Sequence, residues 1–348
     1  MSPSVLSVAY PFAFVGARAV GGAEQILTSI EAELVALGYR SMMIAREGST
    51  CAGRLFPTPV PAGMITPEVR RSVAAAHQEN INRALEANSV DLVHMHGIDF
   101  HEYRIPAFVP VLVTLHLPPS WYPEAIWKSA PNYTLQCVSE LERLACPPEH
   151  RARVVVVENG VAVSSSPRLR KRNFALLLSR ICPEKNLHEG LDAARLARVP
   201  VLLAGEASQY EAHVRYLNQE IKPRLGQGAR LLGPVSGTRK RRLLAAARCL
   251  LLPTVAPETS SLTAMEALAA GTPVIAYRSG AIPEIVEDGR TGFLVNNATE
   301  MAEAIQHAEE ISPAVCCAAA ASRFSLQRMI DSYRALYTRI MAEAAIYA

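Results

Sequence analysis

Aspartate is scarce in this chain, and no Asp-x-Asp motif occurs in it. The 348 residues contain five aspartates, and the two nearest to each other, Asp91 and Asp99, are eight positions apart. Closely spaced carboxylates are a common way of holding Mg²⁺ or Mn²⁺. The sequence therefore predicts chemistry that needs no metal ion of this kind.

Cysteine pairs and long apolar runs are also missing. The seven cysteines form no Cys-x-x-Cys pair, which argues against a structural zinc site or a disulfide framework. Cys137, Cys182 and Cys249 lie in or beside apolar runs and are expected in the core. No apolar run reaches the ~18 residues of a membrane span, and the N-terminus lacks the basic segment of a signal peptide. We expect a reduced, cytoplasmic protein without integral membrane contact, so that any membrane contact is peripheral.

Charge is unevenly distributed along the chain. Residues 1–165 carry 12 Lys and Arg against 15 Asp and Glu, whereas the remainder carries 23 against 17. A basic second half suits an anionic ligand, and a solvated basic surface explains it equally well. The basic runs at 168–172 and 239–242 are not interleaved with aromatic residues, so no nucleic-acid partner is predicted.

Short β-branched runs alternate with helical patterns, which is typical of parallel α/β architecture. Polar, proline-bearing residues 164–172 read as a linker between two such series. The pattern predicts two doubly wound, Rossmann-like domains, at 1–163 and 173–322, and a final helical segment at 323–348. Strands are predicted at 5–10, 41–45, 91–96, 111–116, 134–139, 154–157, 174–179, 201–204, 230–232, 249–252 and 274–276. Ligands of such sheets bind beyond the carboxyl ends of the strands, so a cleft between two sheets could hold a donor and an acceptor.

The segment 257–276, PETSSLTAMEALAAGTPVIA, carries the strongest functional signal. Ser260 or Ser261 can cap a helix that stops at Gly271. The free amides at such a helix start attract phosphate. They belong to Ser261, Leu262 and Thr263.

Two carboxylates flank this helix start. Glu258 precedes the helix, and Glu266 lies about a turn and a half inside it with its side chain leaning back toward the start. Carboxylates repel phosphate but accept hydrogen bonds from the paired hydroxyls of ribose and sugars. The combination therefore favours a nucleotide sugar as ligand, with an ordinary helix that contains two glutamates as the alternative.

Two other segments contain residues suited to phosphate. In residues 179–186, SRICPEKN, Arg180 and Lys185 flank a turn between a strand and a helix, where two cations can neutralise a diphosphate. Surface charges beside a turn are the alternative. In residues 19–25, AVGGAEQ, Gly22 lies at a helix start where backbone can approach a ligand closely. Glycine pairs also serve ordinary packing, and the GxGxxG dinucleotide fingerprint is not present.

Three histidines lie at predicted strand ends. His94 and His96 point to the same face of one strand, but a metal site needs a third ligand, and the sequence offers no matching cluster. His116 ends another strand and is the better candidate for contacting a sugar. A structural role in the core remains open for each of the three.

The order of these motifs resembles that of family 4 glycosyltransferases. The resemblance covers nearly the whole chain and rests on GGAE, the His-x-His strand, ENGV at 158–161, SRICPEKN, LLGPV at 231–235, the two glutamates and SGAIPEIVEDGRTGFLV at 279–295. It implies the GT-B fold, in which two Rossmann-like domains face a central cleft. It also implies an activated nucleotide-sugar donor, retention of anomeric configuration, and a final helix that crosses back to the first domain.

The resemblance implies a role for each motif residue. Arg180 and Lys185 would bind the donor diphosphate, Glu258 would hold sugar hydroxyls, and His116 would contact the transferred sugar; these four are the catalytic candidates. Glu266 would hold the ribose. Further donor contacts are implied at Gly22, Gly233, Val235, Ser261, Leu262 and Thr263, of which Gly233 and Val235 would line the base pocket and Gly22 would approach the phosphates or the acceptor.

The chain departs from the family pattern in three places. Thr259-Ser260-Ser261 follows the first glutamate, where the family often has Gly-Phe-Gly. Residues 204–207 read AGEA rather than Gly-x-Gly, and Glu158 replaces a proline. These differences bear on which sugar and which base the donor carries rather than on the class of reaction.

The sequence thus predicts a retaining, metal-independent glycosyltransferase that moves a sugar from a UDP- or GDP-linked donor to a hydroxyl acceptor, in a glycan or a small molecule. Arg180, Lys185 and the helix amides would stabilise the leaving diphosphate in place of a metal ion. An epimerase or a phosphorylase of the same fold, and a non-catalytic protein that binds sugar nucleotides, are the alternatives. The sequence does not predict the acceptor or the oligomeric state.

Overall fold

The structure is a computed structural model that describes residues 2–128, 130–163, 170–208, 210–226 and 228–347. The chain divides into two compact units, Met1–Glu158 with Met329–Ala348, and Asn159–Arg328. Each unit contains one parallel sheet with helices connecting its strands. Of the predicted linker, residues 164–169 lie outside the described residues.

The first unit contains a seven-stranded parallel sheet. Its strands are β1 (Ser4–Val8), β2 (Arg40–Arg46), β3 (Arg54–Thr58), β4 (Leu92–Met95), β5 (Val111–Thr114), β6 (Tyr133–Cys137) and β7 (Val155–Val156). Its helices are α1 (Gly22–Ala36), α2 (Pro67–Ala87), α3 (Glu140–Ala145) and most of α11 (Leu326–Tyr347). The strand order is β3-β2-β1-β4-β5-β6-β7. Strands β1, β4 and β5 are buried at every position, as expected where both faces of a parallel sheet are covered.

The second unit contains a six-stranded parallel sheet. Its strands are β8 (Ala175–Leu178), β9 (Val201–Ala204), β10 (Ala229–Leu231), β11 (Cys249–Leu252), β12 (Val274–Tyr277) and β13 (Gly292–Val295). Its helices are α4 (Leu187–Leu196), α5 (Glu211–Tyr216), α6 (Gly237–Ala246), α7 (Leu262–Ala269), α8 (Ile282–Ile285), α9 (Ala298–His307) and α10 (Pro313–Arg323). The strand order is β10-β9-β8-β11-β12-β13. Both sheets thus reverse direction beside their first strand, which is the doubly wound topology.

The predicted fold class, a pair of Rossmann-like parallel-sheet domains of the GT-B type, is confirmed. The predicted core positions of Cys137, Cys182 and Cys249 are also buried. Two strands escaped the sequence analysis, β3 and β13. Strand β3 contains Pro57, which cannot donate to a ladder and is tolerated because β3 lies at the sheet edge. Strand β13 is also an edge strand, with four residues and an initial glycine, so its pattern is weak.

Strand ends place the candidate residues of the second unit. In a parallel sheet all carboxyl ends lie at one edge, and ligands bind there where the strand order reverses. Here the reversal lies between β8 and β11, which pair directly, Cys249 opposite Ala175. The loops after these two strands carry SRICPEKN and the Glu258 segment. In the described part of the chain, no helix is long and apolar enough to span a membrane.

Candidate functional site

The loops after β8 and β11 contact each other directly. The backbone N–H groups of Val255 and Ala256 both donate to the Glu184 carbonyl oxygen, at 3.1 and 3.4 Å. Asn186 ends the first loop in the left-handed region, with φ at +52°, a conformation that asparagine tolerates better than most residues. Helix α4 begins at the next residue. The two motifs that the sequence analysis singled out separately therefore form one surface.

Lys185 and Glu258 form an ion pair across these loops. The Lys185 ammonium donates to Glu258 Oε1, and both side chains are largely shielded from solvent. The predicted diphosphate-binding cation and the predicted sugar-binding carboxylate thus lie in direct contact. Arg180, in the same loop, is exposed. Within the residues that the structure describes, its guanidinium makes no ion pair, so its charge faces solvent.

Glu266 forms a second ion pair that the sequence analysis missed. Lys240 Nζ, from α6, lies 2.6 Å from Glu266 Oε1, and about four fifths of each side chain is shielded. From the sequence, the basic second half that contains the run at 239–242 suits an anionic ligand or a solvated surface equally well. The sequence contains an indication of this contact, because Lys240 lies four residues before the apolar Leu244 and so on the same face of a helix. Leu244 is buried in the structure. That face points toward α7, which packs against α6.

The start of α7 has the predicted form. Ser261 is the N-cap, and its Oγ accepts a hydrogen bond from the Ala264 N–H at 3.3 Å. The helix ends before Gly271, whose φ is +71°, so the predicted stop is also confirmed. The N–H groups of Leu262 and Thr263 belong to the first turn, where no intrahelical acceptor exists. Ser260 Oγ is buried and has no hydrogen-bond partner among the described residues.

Charge at this helix start is balanced so that an anion is favoured. Glu258 and Glu266 are each neutralised by a lysine. What remains is the positive end of the α7 dipole and the exposed Arg180 in the neighbouring loop. Helix N-termini with unpaired amides attract phosphate groups. The ion pairs therefore remove the repulsion that two free carboxylates would exert on a phosphate.

Residues 279–281 hold the Glu258 backbone in place. The Ala281 N–H donates to the Glu258 carbonyl oxygen at 2.7 Å, and the Ser279 hydroxyl donates to the Ala256 carbonyl oxygen. Gly280 has φ at +50°, and a Cβ there would overlap the Glu258 backbone. Only glycine permits this close approach, which gives a physical reason for the SGAIPE motif.

Gly233 and Val235 follow β10, at the same carboxyl edge of the sheet. The Gly233 carbonyl oxygen accepts from the Gly205 N–H at 3.0 Å, which joins this loop to the one after β9. Val235 is partly buried against the core. The two residues therefore lie at the edge where a base could bind, and their contact with a base stays a prediction.

In the first unit, His94, His96 and His116 form a hydrogen-bonded chain. His94 Nδ1 lies 2.6 Å from the Tyr337 hydroxyl of α11 and 3.1 Å from His96 Nε2; His96 Nδ1 lies 3.2 Å from His116 Nε2. Burial lowers the pKa of His116 to about 4 and those of His94 and His96 well below their usual value. The rings are therefore neutral near pH 7, and His94 and His96 have a hydrogen-bonding role in the core.

Gly22 and His116 lie at carboxyl ends of the first sheet. Gly22 is the first residue of α1, after the N-cap Gly21, which has no side-chain cap. His116 follows β5, and its N–H donates to the Tyr122 hydroxyl at 3.0 Å. These positions suit ligand contact in that unit. The catalytic role of His116 and the donor contact of Gly22 stay predictions.

The two basic runs of the second half meet at a different place. A pocket of about 1210 Å³ is lined by both; its basic residues are Arg170, Lys171, Arg172, Arg239 and Arg242. Residues 170–172 precede β8, so this pocket lies toward the amino edge of the sheet. It is therefore separate from the loops that carry Glu258 and Lys185.

Comparisons with known proteins bear on this site. Residues 172–310 match the family model described as "Glycosyl transferases group 1". The comparisons support a glycosyltransferase. The matched segment contains Lys185, Lys240, Glu258 and Glu266, so the site described above lies inside it.

The chain is similar to known proteins both in sequence and in structure. An uncharacterized glycosyltransferase of Methanocaldococcus jannaschii is 27% identical over 237 residues, which are 64% of this chain and 66% of that protein. Curated mycobacterial relatives match over about a third of their length, 36%. Sucrose-phosphate synthase from Thermosynechococcus elongatus covers 98% of this chain and 100% of its own at 18% identity, with a TM-score of 0.79. The Anabaena protein HepE, in complex with UDP and glucose, covers 96% and 99% at 20% identity, with a TM-score of 0.72. At these identities the structures establish the fold alone.

Proposed function

We propose that this protein is a retaining glycosyltransferase that transfers a sugar from a nucleoside-diphosphate donor to a hydroxyl acceptor without a metal ion. The observation that carries the proposal is the start of α7, flanked by two lysine-paired glutamates. The family match over residues 172–310 supports the class of reaction. Retention and the diphosphate donor rest on the resemblance to family 4.

The donor diphosphate binds at the first turn of α7. Its oxygens accept hydrogen bonds from the Leu262 and Thr263 amides and lie beside the ammonium of Lys185. Arg180 swings toward the same phosphates from its exposed position. Arg180 and the helix dipole supply the charge stabilisation that a metal ion supplies in other enzymes. Lys185, whose charge is balanced by Glu258, adds a hydrogen-bond donor.

The two glutamates orient the donor by its hydroxyl groups. Glu266 accepts hydrogen bonds from the ribose, and the ion pair with Lys240 fixes the direction of that carboxylate. Glu258 accepts from hydroxyls of the transferred sugar while its own backbone is fixed by residues 279–281. Ser260 supplies a further hydroxyl whose hydrogen-bonding capacity is not used by the described residues.

In the reaction, the bond between the sugar C1 and the diphosphate oxygen breaks as the acceptor oxygen bonds to C1 from the same face. The bonding electrons leave with the diphosphate, and its departing oxygen takes the proton of the acceptor hydroxyl. Among the described residues, no side chain near α7 is positioned as an obvious covalent nucleophile. The leaving group itself acts as the base. Lys185 and the α7 amides stabilise the charge that develops on it.

Turnover with UDP- and GDP-linked sugars tests this proposal. Incubation with an acceptor panel should yield a glycoside of unchanged anomeric configuration, measured by the proton–proton coupling at C1 in NMR spectra. Conversion of the donor to an isomeric sugar nucleotide without acceptor would identify an epimerase instead. Donor binding without turnover against any acceptor class would identify a binding protein.

Metal independence is tested by the same assay in a chelating buffer. We expect the initial rate with and without added Mg²⁺ or Mn²⁺ to agree within about twofold, because the cations at the site are side chains. A rate that the chelator abolishes and Mg²⁺ alone restores would contradict this part of the proposal.

A further inference from the structure

Cys182, Glu184 and His213 form a cluster beside the loop after β8. One potential ligand atom from each side chain lies within 4.8 Å of the other two. Thiolate sulfur, imidazole nitrogen and carboxylate oxygen are the ligand types of zinc. In a tetrahedral zinc site with bonds of about 2.0–2.3 Å, the ligand atoms lie about 3.3–3.8 Å apart. Small side-chain rotations would therefore close these three groups on one ion.

The His213 ring provides an independent observation. His213 is 8% exposed, and its Nδ1 is buried without a hydrogen-bond partner among the described residues. Buried polar atoms are almost always satisfied, so an exception in a native protein requires an explanation. Tyr210 packs against the ring in an edge-to-face contact, with centroids 5.3 Å apart, and so fixes its orientation. A ring held in place with an unsatisfied nitrogen is suited to a ligand.

Cys182 and Glu184 supply the other two potential metal ligands. The Cys182 thiol is 1% exposed, and its contact with the Arg180 carbonyl oxygen is long, at 3.9 Å. Burial, with a hydrogen bond to Glu184, raises the pKa of this thiol to about 11. The thiol therefore keeps its proton in the free protein, and a metal ion that binds the sulfur releases that proton. Glu184 reaches the cluster from solvent, which gives an ion a route of entry.

We propose that Cys182, Glu184 and His213 bind one zinc ion, with water at the fourth position, and that this ion ties the loop after β8 to α5. Glu184 also holds Val255 and Ala256 through its carbonyl oxygen, and Lys185 holds Glu258. The zinc ion therefore positions the loop, while the diphosphate is still neutralised by side chains. This inference goes beyond the proposed reaction and is tested without it.

Metal binding by the full-length chain tests the proposal. Protein stripped with a chelator is titrated with Co²⁺, and the Co²⁺ is then displaced with Zn²⁺. We expect one ion per chain, the visible absorption of tetrahedral cobalt and a thiolate-to-cobalt charge-transfer band. Cys182→Ser should remove the charge-transfer band, and Glu184→Gln and His213→Gln should each weaken Zn²⁺ binding by about tenfold or more.

Two variants outside the cluster serve as controls. Cys51→Ser, at a partly buried cysteine outside the cluster, and His307→Asn, at a surface histidine, should bind the ion as the unchanged protein does. A chain that takes up no Zn²⁺ at micromolar concentration overturns the proposal. So does a chain in which Cys182→Ser and Glu184→Gln keep full affinity. If Cys182→Ser fails to fold, as judged by circular dichroism, the exposed Glu184→Gln variant decides alone.

Discussion

Lys240 shows how a single residue outside the recognised motifs can set the chemistry of one inside them. Its ammonium lies 2.6 Å from the Glu266 carboxylate and fixes the direction of that group. Lys240→Met leaves the partly buried Glu266 carboxylate without its cation. The loss of a hydrogen bond to a charged group typically costs about 1.5–3 kcal/mol. We therefore expect donor affinity to fall by about 10- to 150-fold.

Calorimetric titration with UDP and GDP measures this effect. Arg241→Met, at the next position, is the matched control. Among the described residues, the Arg241 side chain bonds to the exposed Thr238 hydroxyl alone, and it lies on another face of α6. Equal affinity in the Lys240→Met and Arg241→Met variants would remove Glu266 from the donor site.

Asn186 adopts a backbone conformation that few residues other than glycine tolerate. Its φ of +52° lies in the left-handed region, and it connects the Lys185 turn to α4. Alanine there adds left-handed strain of about 1–2 kcal/mol, whereas glycine adopts the conformation freely. Asn186→Ala should lower the free energy of unfolding in urea by about that amount, and Asn186→Gly should change it less. The reverse order would show that the conformation is not held in solution.

At this scale the sequence selects candidate residues of the site but not the contacts between them. Glu258, Glu266, Arg180 and Lys185 could be selected because each lies beside a strand end or helix start. The pairing of Lys185 with Glu258 depends on β8 and β11 being neighbours, which no local pattern encodes. The approach of Lys240 to Glu266 depends on the packing of α6 against α7 and is equally non-local.

At the scale of elements, α7 offers a matched pair of serines. Ser261 Oγ accepts from the Ala264 N–H and caps the helix, so Ser261→Ala should cost about 1 kcal/mol of stability. Ser260 Oγ has no partner among the described residues although it is buried, so Ser260→Ala should be neutral or slightly stabilising. Denaturant unfolding of the two variants measures the difference.

Donor binding provides a second comparison of the two serines, in which Ser260 is the one expected to matter. If Ser260 contacts the donor, Ser260→Ala should weaken UDP-sugar binding although stability is kept. A Ser260→Ala variant that is as destabilised as Ser261→Ala would mean that its hydroxyl is already satisfied within the fold, and the proposed contact would fail.

Strands were predicted where apolar residues follow one another and were missed where a proline or a glycine interrupts them. Strands β9 and β11 match their predicted bounds. The two missed strands, β3 and β13, each lie at a sheet edge, where pairing with one neighbour permits a proline or an initial glycine. Segment 279–281 was quoted as a motif, but its function of fixing the Glu258 backbone follows only from the structure.

At the scale of the whole molecule, the buried histidines predict how stability depends on pH. Burial lowers the pKa of His77 to about 4, against about 6.5 in an unfolded chain. Below pH 6.5 the unfolded chain therefore binds more protons, and stability is lost as the pH falls. His77 alone accounts for about 3 kcal/mol between pH 6.5 and pH 4, and the chain of His94, His96 and His116 acts in the same direction.

Urea unfolding at several pH values measures this dependence. His77→Gln removes one titrating group. The free energy of unfolding of this variant should therefore fall less steeply as the pH is lowered, by a slope that corresponds to about one bound proton. His307→Asn, at an exposed position, should follow the unchanged protein. If the His77→Gln and unchanged proteins show identical slopes, the His77 ring is not buried in its neutral form.

The central claim is that the start of α7, with Lys185, binds a diphosphate without a metal ion, and calorimetric titration with UDP and GDP in a chelating buffer tests it most directly. The account predicts binding by the unchanged protein, a loss of about tenfold or more in Lys185→Ala, and no change in Lys222→Ala, at an exposed position of the same unit. Failure of both nucleotides to bind unless Mg²⁺ is added, or equal affinity in the two lysine variants, would contradict it.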